Sequence, residues 1–360
     1  MLSKKHLFLY LALRNPNPRI PNSDFQHSEF RVFLMSLLEI ENLSVSYLTG
    51  ACAVRAVRDV SLHIDAGESL ALVGETGSGK STLALAVLGL LEGPGAIAEG
   101  EIRMEGTRLT PDGSLSRTLR GRRVGMVFQD ARGSLNPVLT IGSQLTEVLR
   151  AHQDLSRKDA NAAAQAVLGE VGIPEPGLLS RCYPAELSGG MCQRAAIALA
   201  ICNRPALLIA DEPTSALDPS IQAQILALLR RLQDQRRLAL LLISHDLALV
   251  SGVAERVAVM YHGNMIETGR TEDVFRRPAH PYTSLLLACR PDLEHRWDQS
   301  PLAAIPGSIP TDTQGFRGCS FAPRCRIAET ACSESVPPAL KVRDGHWASC
   351  FKPAGPVDTT

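Results

Sequence analysis

SLALVGETGSGKSTLALAVLGLL, residues 69–91, runs an apolar stretch of strand character into a glycine-rich turn and then into a helical stretch. Glycines at 74, 77 and 79 let the backbone curl until successive N–H groups point at phosphate oxygens, and the following helix adds the positive end of its dipole. Gly74, Glu75, Thr76, Gly77, Ser78, Gly79, Lys80, Ser81 and Thr82 are therefore read as nucleotide-binding. Lys80 supplies charge for the terminal phosphates and Ser81 a hydroxyl for a metal ion.

Such a loop says only that a nucleotide is bound. LSGGMCQR, residues 187–194, adds a second anion site, in which Ser188 and the amides of Gly189 and Gly190 precede a helix expected to begin near Met191. This site faces outward with no phosphate of its own nearby, and Gln193 is assigned to the same motif. Between Asn136 and Arg194 the sequence is helical and alanine-rich, notably DANAAAQAVLGEVG from Asp159, which reads as a helical subdomain inserted into a sheet domain. It carries the motif away from the chain's own phosphate loop, so a second, homologous chain is needed to close around the nucleotide. Each motif arises by accident in roughly one chain of this length per hundred. Both together, followed by Asp211 and Glu212, set chance aside.

Elsewhere short apolar runs alternate with helical stretches, the α/β pattern of a parallel sheet buried on both faces. ALLIAD from Ala206 runs into Asp211 and Glu212, LALLLIS from Leu238 into His245, and VGMVF is followed by Gln129. In open α/β sheets ligands bind outside the carboxyl ends of the strands, so these segments deliver their chemistry to one edge. A carboxylate ending a buried strand is costly unless it serves a cation, and Mg²⁺ held with the phosphates answers that need for Asp211. Glu212 is placed to accept a proton from the water attacking the γ-phosphate, His245 to touch that phosphate, and Gln129 to contact metal and water. The expected catalytic residues are Glu212, His245 and Gln129; the expected magnesium ligands are Ser81, Gln129 and Asp211.

With a net charge of zero, the 360-residue chain lacks the basic footprint of a nucleic-acid binder. RTLRGRR from Arg117, and the group Arg230, Arg231, Arg236 and Arg237, read as solvated faces. No run of 18 apolar residues occurs, so service to a membrane goes through partners. Residues 1–34 read as an unstructured extension and Met35 as the real start, because MSLLEIENLSVSY begins a strand-like alternation at once. After about Gly269 the composition changes: PAHPYTSLLLACRPDL reads as a docking helix, and the remainder as a small appended module, residues 276–360, not a continuation of the sheet. Cys319, Cys325, Cys332 and Cys350 crowd this module with spacing C-x5-C-x6-C-x17-C. Paired C-x2-C zinc spacing is absent, and zinc, an iron–sulfur cluster and plain thiols stay open.

Walker A at Gly74–Thr82, the LSGG signature, Walker B ending at Asp211, SALD at Ser215–Asp218 and ISHD around His245 resemble the ATP-binding subunits of ABC transporters. Finer features are similar to the oligopeptide/dipeptide (peptide/nickel) importer group: SLNPVLTIG after Gln129, DPSIQAQIL, RVAVMYHG, HPYTSLLL and GCSFAPRC. The resemblance runs from Met35 onward. It implies a P-loop NTPase (RecA-like) ABC cassette over residues 35–275, a helical subdomain at about 136–195, and a C-terminal module of the oligopeptide-transporter type. Tyr47 matches the aromatic that stacks on adenine, Gln129 the glutamine linking metal to permease contact, Glu212 the catalytic base and His245 the switch histidine. Ser188, Gly189, Gly190 and Gln193 match the signature that meets the partner chain's ATP. Cys319, Cys325, Cys332 and Cys350 match the ligands of a 4Fe-4S cluster held by some members; zinc or idle thiols are the other readings.

What the resemblance implies in the cell is a peripheral ATPase on the cytoplasmic face of the cell (inner) membrane, using ATP and Mg²⁺. Its partners are a homologous ATP-binding subunit, transmembrane permease subunits and, indirectly, an extracytoplasmic solute-binding protein, with no nucleic acid. Di- or oligopeptides are the implied cargo, with nickel or another small solute as the alternative. A soluble ABC ATPase unlinked to transport is the rival class. Against it stand the single cassette and the roughly hundred residues between Lys80 and Ser188, too few for long coiled coils. Two departures stand out: Cys192 where the signature more commonly has arginine or serine, and Ala131-Arg132 after the glutamine.

Overall fold

The computed structural model describes residues 36–49, 52–91, 95–109, 118–215, 217–289, 304–307 and 318–354. The extension expected at residues 1–34 lies outside them. Strands β1 (Leu38–Thr49), β2 (Cys52–Ile64), β3 (Ser69–Val73), β4 (Gly95–Met104), β5 (Thr107–Arg108) and β6 (Val124–Val127) precede a helical stretch. Strands β7 (Leu207–Asp211), β8 (Ala239–Ser244), β9 (Arg256–Tyr261), β10 (Asn264–Arg270), β11 (Ala339–Arg343) and β12 (His346–Ser349) follow it.

The strands sort into two sheets. In one, β9, β3, β8, β7 and β6 lie side by side and parallel. Every residue of β3, β7 and β8 is buried, as a parallel sheet covered on both faces requires. Strand alternation then divides these residues between two cores. Leu70, Leu72, Leu207, Ile209, Leu241 and Ile243 face one, packed against β1, β2, β4 and helix α1 (Lys80–Leu88). Ala71, Val73, Leu208, Ala210, Leu240 and Leu242 face the other, built largely from helices. The second sheet is the antiparallel ribbon β2-β1-β4-β5. In β1 the inward residues are Leu38 and Ile40, then Leu43 and Val45; the parity flips near Asn42, φ 49°, where the pairing with β2 slips.

Helices α2 (Ile141–His152), α3 (Arg157–Glu170) and α4 (Gly189–Ile201) fill the gap between β6 and β7, and α5 (Pro219–Arg236) leads to β8. Their starts are set by side-chain caps: Thr140 accepts from the Ser143 amide, Ser156 from that of Asp159, and Asp218 from those of Ser220 and Ile221. Several arginines expected to be merely solvated are engaged with helix ends, Arg231 among them through the Glu170 carbonyl at 2.9 Å. Arg120 donates to the carbonyls of Leu88 and Gly89, both at 2.7 Å, closing α1. Arg236 pairs with Glu170 and donates to the Ile201 carbonyl at 2.8 Å, tying α3 and α4 to α5.

The C-terminal segment departs from expectation, because it does continue the sheet. β11 and β12 form a hairpin, and β12 pairs antiparallel with β10 through Glu267↔Ala348 and Thr268↔Trp347, so the large sheet reads β11-β12-β10-β9-β3-β8-β7-β6. The reason lies in one buried carboxylate. Glu267, 1% exposed, accepts from the amides of Ala279 (2.7 Å) and His280 (2.8 Å) and lies 2.8 Å from Nε2 of His346, itself fully buried. A carboxylate so enclosed must be hydrogen-bonded, and its partners come from β12 and from the approach to α6 (Pro281–Ala288).

Candidate nucleotide site

The register that pairs Val73 with Ser244 and Asp211 with Ile243 brings the ends of β3, β8 and β7 to one level of one sheet edge. From β3 the phosphate loop passes through a narrow gap. A Cβ on Gly74 would lie 2.1 Å from the Met260 carbonyl oxygen, and one on Gly79, where φ is 100°, 2.2 Å from that of Ala56. Only glycine passes there.

Lys80, 4% exposed, turns its ammonium back over the loop and donates to the carbonyls of Gly74 (2.7 Å) and Glu75 (3.0 Å) and to the Ser78 hydroxyl (3.3 Å). Burial holds it below the usual lysine range, against the pull of Glu212, Asp211 and Glu75. Those contacts can be exchanged for phosphate oxygens. Asp211, also buried, interacts with the Ser81 hydroxyl, while its Oδ1 has no hydrogen-bond partner. Burial pushes its carboxyl above the usual range, the Ser81 bond acting the other way. An orphaned carboxylate oxygen and a hydroxyl beside a phosphate loop fit the hard-oxygen ligand set of Mg²⁺.

Glu212 takes φ 46°, a conformation uncommon outside glycine. Its amide donates to the Ile243 carbonyl at 2.9 Å. Oε2 of Glu212 accepts from Nε2 of Gln129 at 3.0 Å, and Oε1 lies 3.2 Å from Nδ1 of His245. The three expected catalytic residues, from the ends of β6, β7 and β8, therefore meet at one carboxylate. The Ser215 hydroxyl, within 2.9 Å of the Glu212 carbonyl and 3.2 Å of the Gln129 carbonyl, ties two of those segments together. Such a carboxylate can take a proton from water while its neighbours fix its direction.

In the LSGG stretch Ser188 caps α4, its Oγ accepting from the Met191 amide at 3.3 Å, so the helix begins at Gly189, earlier than expected. Ser188 and Gly189 are exposed. Gly190 packs closely, since a Cβ would lie 3.0 Å from the Ile221 side chain at the start of α5. Gln193 corrects the expectation: it is 3% exposed because α4 is packed around most of its circumference, and it does not face outward. Tyr47 stands half-buried in β1, opposite Val54 of β2 and Gly95 of β4.

Glu75 also differs from expectation. Its amide is not free for phosphate but donates to the Tyr282 hydroxyl at 2.9 Å, and its carboxylate pairs with Arg324. Both lie in stretches quoted above, HPYTSLLL and GCSFAPRC, but neither residue had been given a role. Arg132, noted only as a departure, donates to the carbonyl of Leu187 at 2.6 Å and also bonds Cys192, so the two unusual positions touch each other.

Cys319, Cys325, Cys332 and Cys350 line one cavity together with His280 and Phe321. Burial pushes the thiols of Cys319 and Cys325 up, and that of Cys350 to about 11. Among the described residues no three His, Cys, Asp or Glu side chains gather as a metal-holding group.

Residues 57–215 match the family model described as ABC transporter, and residues 266–332 the one described as oligopeptide/dipeptide transporter, C-terminal region. The oligopeptide transport ATP-binding protein OppD of Bacillus subtilis (strain 168) is 45% identical over 317 residues, covering 88% of this chain and 88% of that protein. The chain belongs to the ABC transporter family. A putative peptide import ATP-binding protein of Brucella abortus (strain 2308) is 44% identical over 327 residues, covering 88% of this chain and 97% of the relative. Among solved structures, the cassette MJ0796 in a dimeric post-hydrolysis state bound to ADP and Pi superposes with a TM-score of 0.59 at 26% identity, covering 65% of this chain and 98% of that one. As an ABC transporter ATP-binding subunit, this chain has the P-loop cassette fold and hydrolyses ATP. Among the described residues no helix is long and apolar enough to cross a membrane.

Proposed function

We propose that this ABC ATPase powers the import of di- or oligopeptides. In this reading it sits on transmembrane permease subunits at the cytoplasmic face of the cell membrane, and a solute-binding protein supplies them from outside. The cargo reading is supported by the C-terminal match over residues 266–332 and by relatives named for oligopeptide transport and peptide import.

The observation that carries the mechanism is Glu212 held between Gln129 and His245 at the edge that also bears the phosphate loop. The triphosphate lies along the loop, Lys80 trades its carbonyl contacts for phosphate oxygens, and Tyr47 stacks on adenine. Mg²⁺ held by Ser81, Asp211 and Gln129 offsets charge on the phosphates when bound. Glu212 accepts the proton of the attacking water, Gln129 orients that water, and His245 contacts the γ-phosphate. Ser188, Gly189 and Gly190 of a homologous chain close the site, and closure moves the permease subunits through an access change that hydrolysis resets.

The four cysteines hold a 4Fe-4S cluster in this reading. They share one cavity, and cysteine thiolates are the ligands that such clusters take. Iron and sulfide analysis of anaerobically purified protein checks this; absence of both leaves four thiols.

The test of the main reading is ATPase activity of the membrane complex, reconstituted with its solute-binding protein, with and without a pool of di- to hexapeptides. Stimulation by peptides is expected. No stimulation, with basal turnover still dependent on Lys80, moves the cargo to nickel complexes or other small solutes.

A further inference from the structure

A carboxylate at the second position of a phosphate loop sets a negative charge beside a triphosphate, which on its own opposes binding. Glu75 is relieved of that charge from far along the chain. Nη1 of Arg324 donates to its Oε2 at 2.8 Å and Nη2 to its Oε1 at 3.2 Å, a two-pronged pair in which the arginine side chain is 4% exposed. The rest of the guanidinium is fixed too, Nε donating to the Pro306 carbonyl at 2.7 Å and Nη1 to the Tyr261 hydroxyl at 3.2 Å.

The loop backbone is gripped beside its side chain, through the bond from the Glu75 amide to the Tyr282 hydroxyl at 2.9 Å. Tyr282 packs tilted against Tyr261 and edge-on against Phe321, with ring centroids 4.7 and 5.4 Å away. Phe321 and Arg324 both stand between Cys319 and Cys325, so the cysteine-bearing segment reaches directly to the ATP loop.

We propose that Arg324, together with Tyr282, is a positioning residue of the ATP site: it neutralises Glu75 and holds the entry of the phosphate loop in its phosphate-accepting shape. The C-terminal segment is thereby a working part of the nucleotide site of its own chain. A buried, charge-assisted, two-pronged pair is strong, and removing one partner leaves the other charge uncompensated. Without Arg324 the Glu75 carboxylate faces the triphosphate bare, and ATP affinity falls.

The test uses the full chain with Mg-ATP. Arg324→Met and Glu75→Gln are made singly and together, and the ATP dissociation constant and thermal midpoint of each are measured. Arg324→Met is expected to weaken ATP binding about tenfold, the loss of one hydrogen-bonded charge contact. Adding Glu75→Gln to it restores most of that affinity, because the bare carboxylate is gone. An Arg324→Met variant that melts earlier but binds ATP normally, or a double variant no better than Arg324→Met, overturns the proposal. Should Arg324→Met fail to fold, Tyr282→Phe decides, since it keeps the ring packing and removes only the hydroxyl. A rise in the ATP dissociation constant of about threefold at unchanged thermal midpoint supports the brace, and an unchanged constant sinks it.

Discussion

Glu212 occupies a backbone region that costs a non-glycine residue of order 1–3 kcal/mol, and it is held there by the hydrogen bond from its N–H to the Ile243 carbonyl and by Gln129, His245 and Ser215. Such strain fixes the direction of one carboxylate, so its chemistry is tested by a change that keeps its shape. Glu212→Gln is expected to bind ATP normally, to cut phosphate release by about 10²- to 10⁴-fold, and to accumulate as an ATP-bound dimer on size exclusion. Normal turnover by that variant removes Glu212 from its role. Gly79 is a second residue with one allowed identity. In Gly79→Ala the new methyl would overlap the Ala56 carbonyl, at 2.2 Å in the present geometry. ATP binding should be lost and the thermal midpoint lowered; retention of both would show that the gap between β2 and the loop is not rigid.

At the scale of elements, what was legible in the sequence was what local pattern controls. β3, β7 and β8 are short apolar runs ended by polar residues, and their parallel register brought Gly74, Asp211, Glu212 and His245 to the expected edge. The C-terminal hairpin was not legible, because its attachment depends on Glu267 finding His346, 79 residues further on. Gln193 was misplaced for a related reason: the helix face it occupies is set by packing against neighbours, not by the motif that contains it. The hairpin predicts its own failure. His346→Ala leaves the Glu267 carboxylate without one of its hydrogen-bond partners at a buried position, which costs about 1.5–3 kcal/mol. Hydrogen exchange should then quicken at residues 346–349 and at Glu267 and Thr268 while the amides of β3 and β8 stay protected. Uniform loss of protection would show that the hairpin and the sheet centre open as one.

For the molecule as a whole, the proposed mechanism has the LSGG motif and the phosphate loop act on different nucleotides. Ser188→Arg should therefore leave ATP affinity of its own loop unchanged and lower hydrolysis about 10²-fold or more, because the arginine blocks closure over the partner's ATP. Loss of ATP binding in that variant would argue that the two motifs serve one nucleotide. The bond between Arg324 and Glu75 joins residues 249 apart in the chain. A ribosome adding about 5–20 residues each second needs about 12–50 s to pass from one to the other. For the last part of that interval, once His245 has been made, every expected catalytic residue is present while the loop that must receive ATP still lacks its clasp. A message cut short between His245 and Arg324 would yield a chain with every expected catalytic residue and an unbraced nucleotide seat, so the last stretch of synthesis is what commissions the engine.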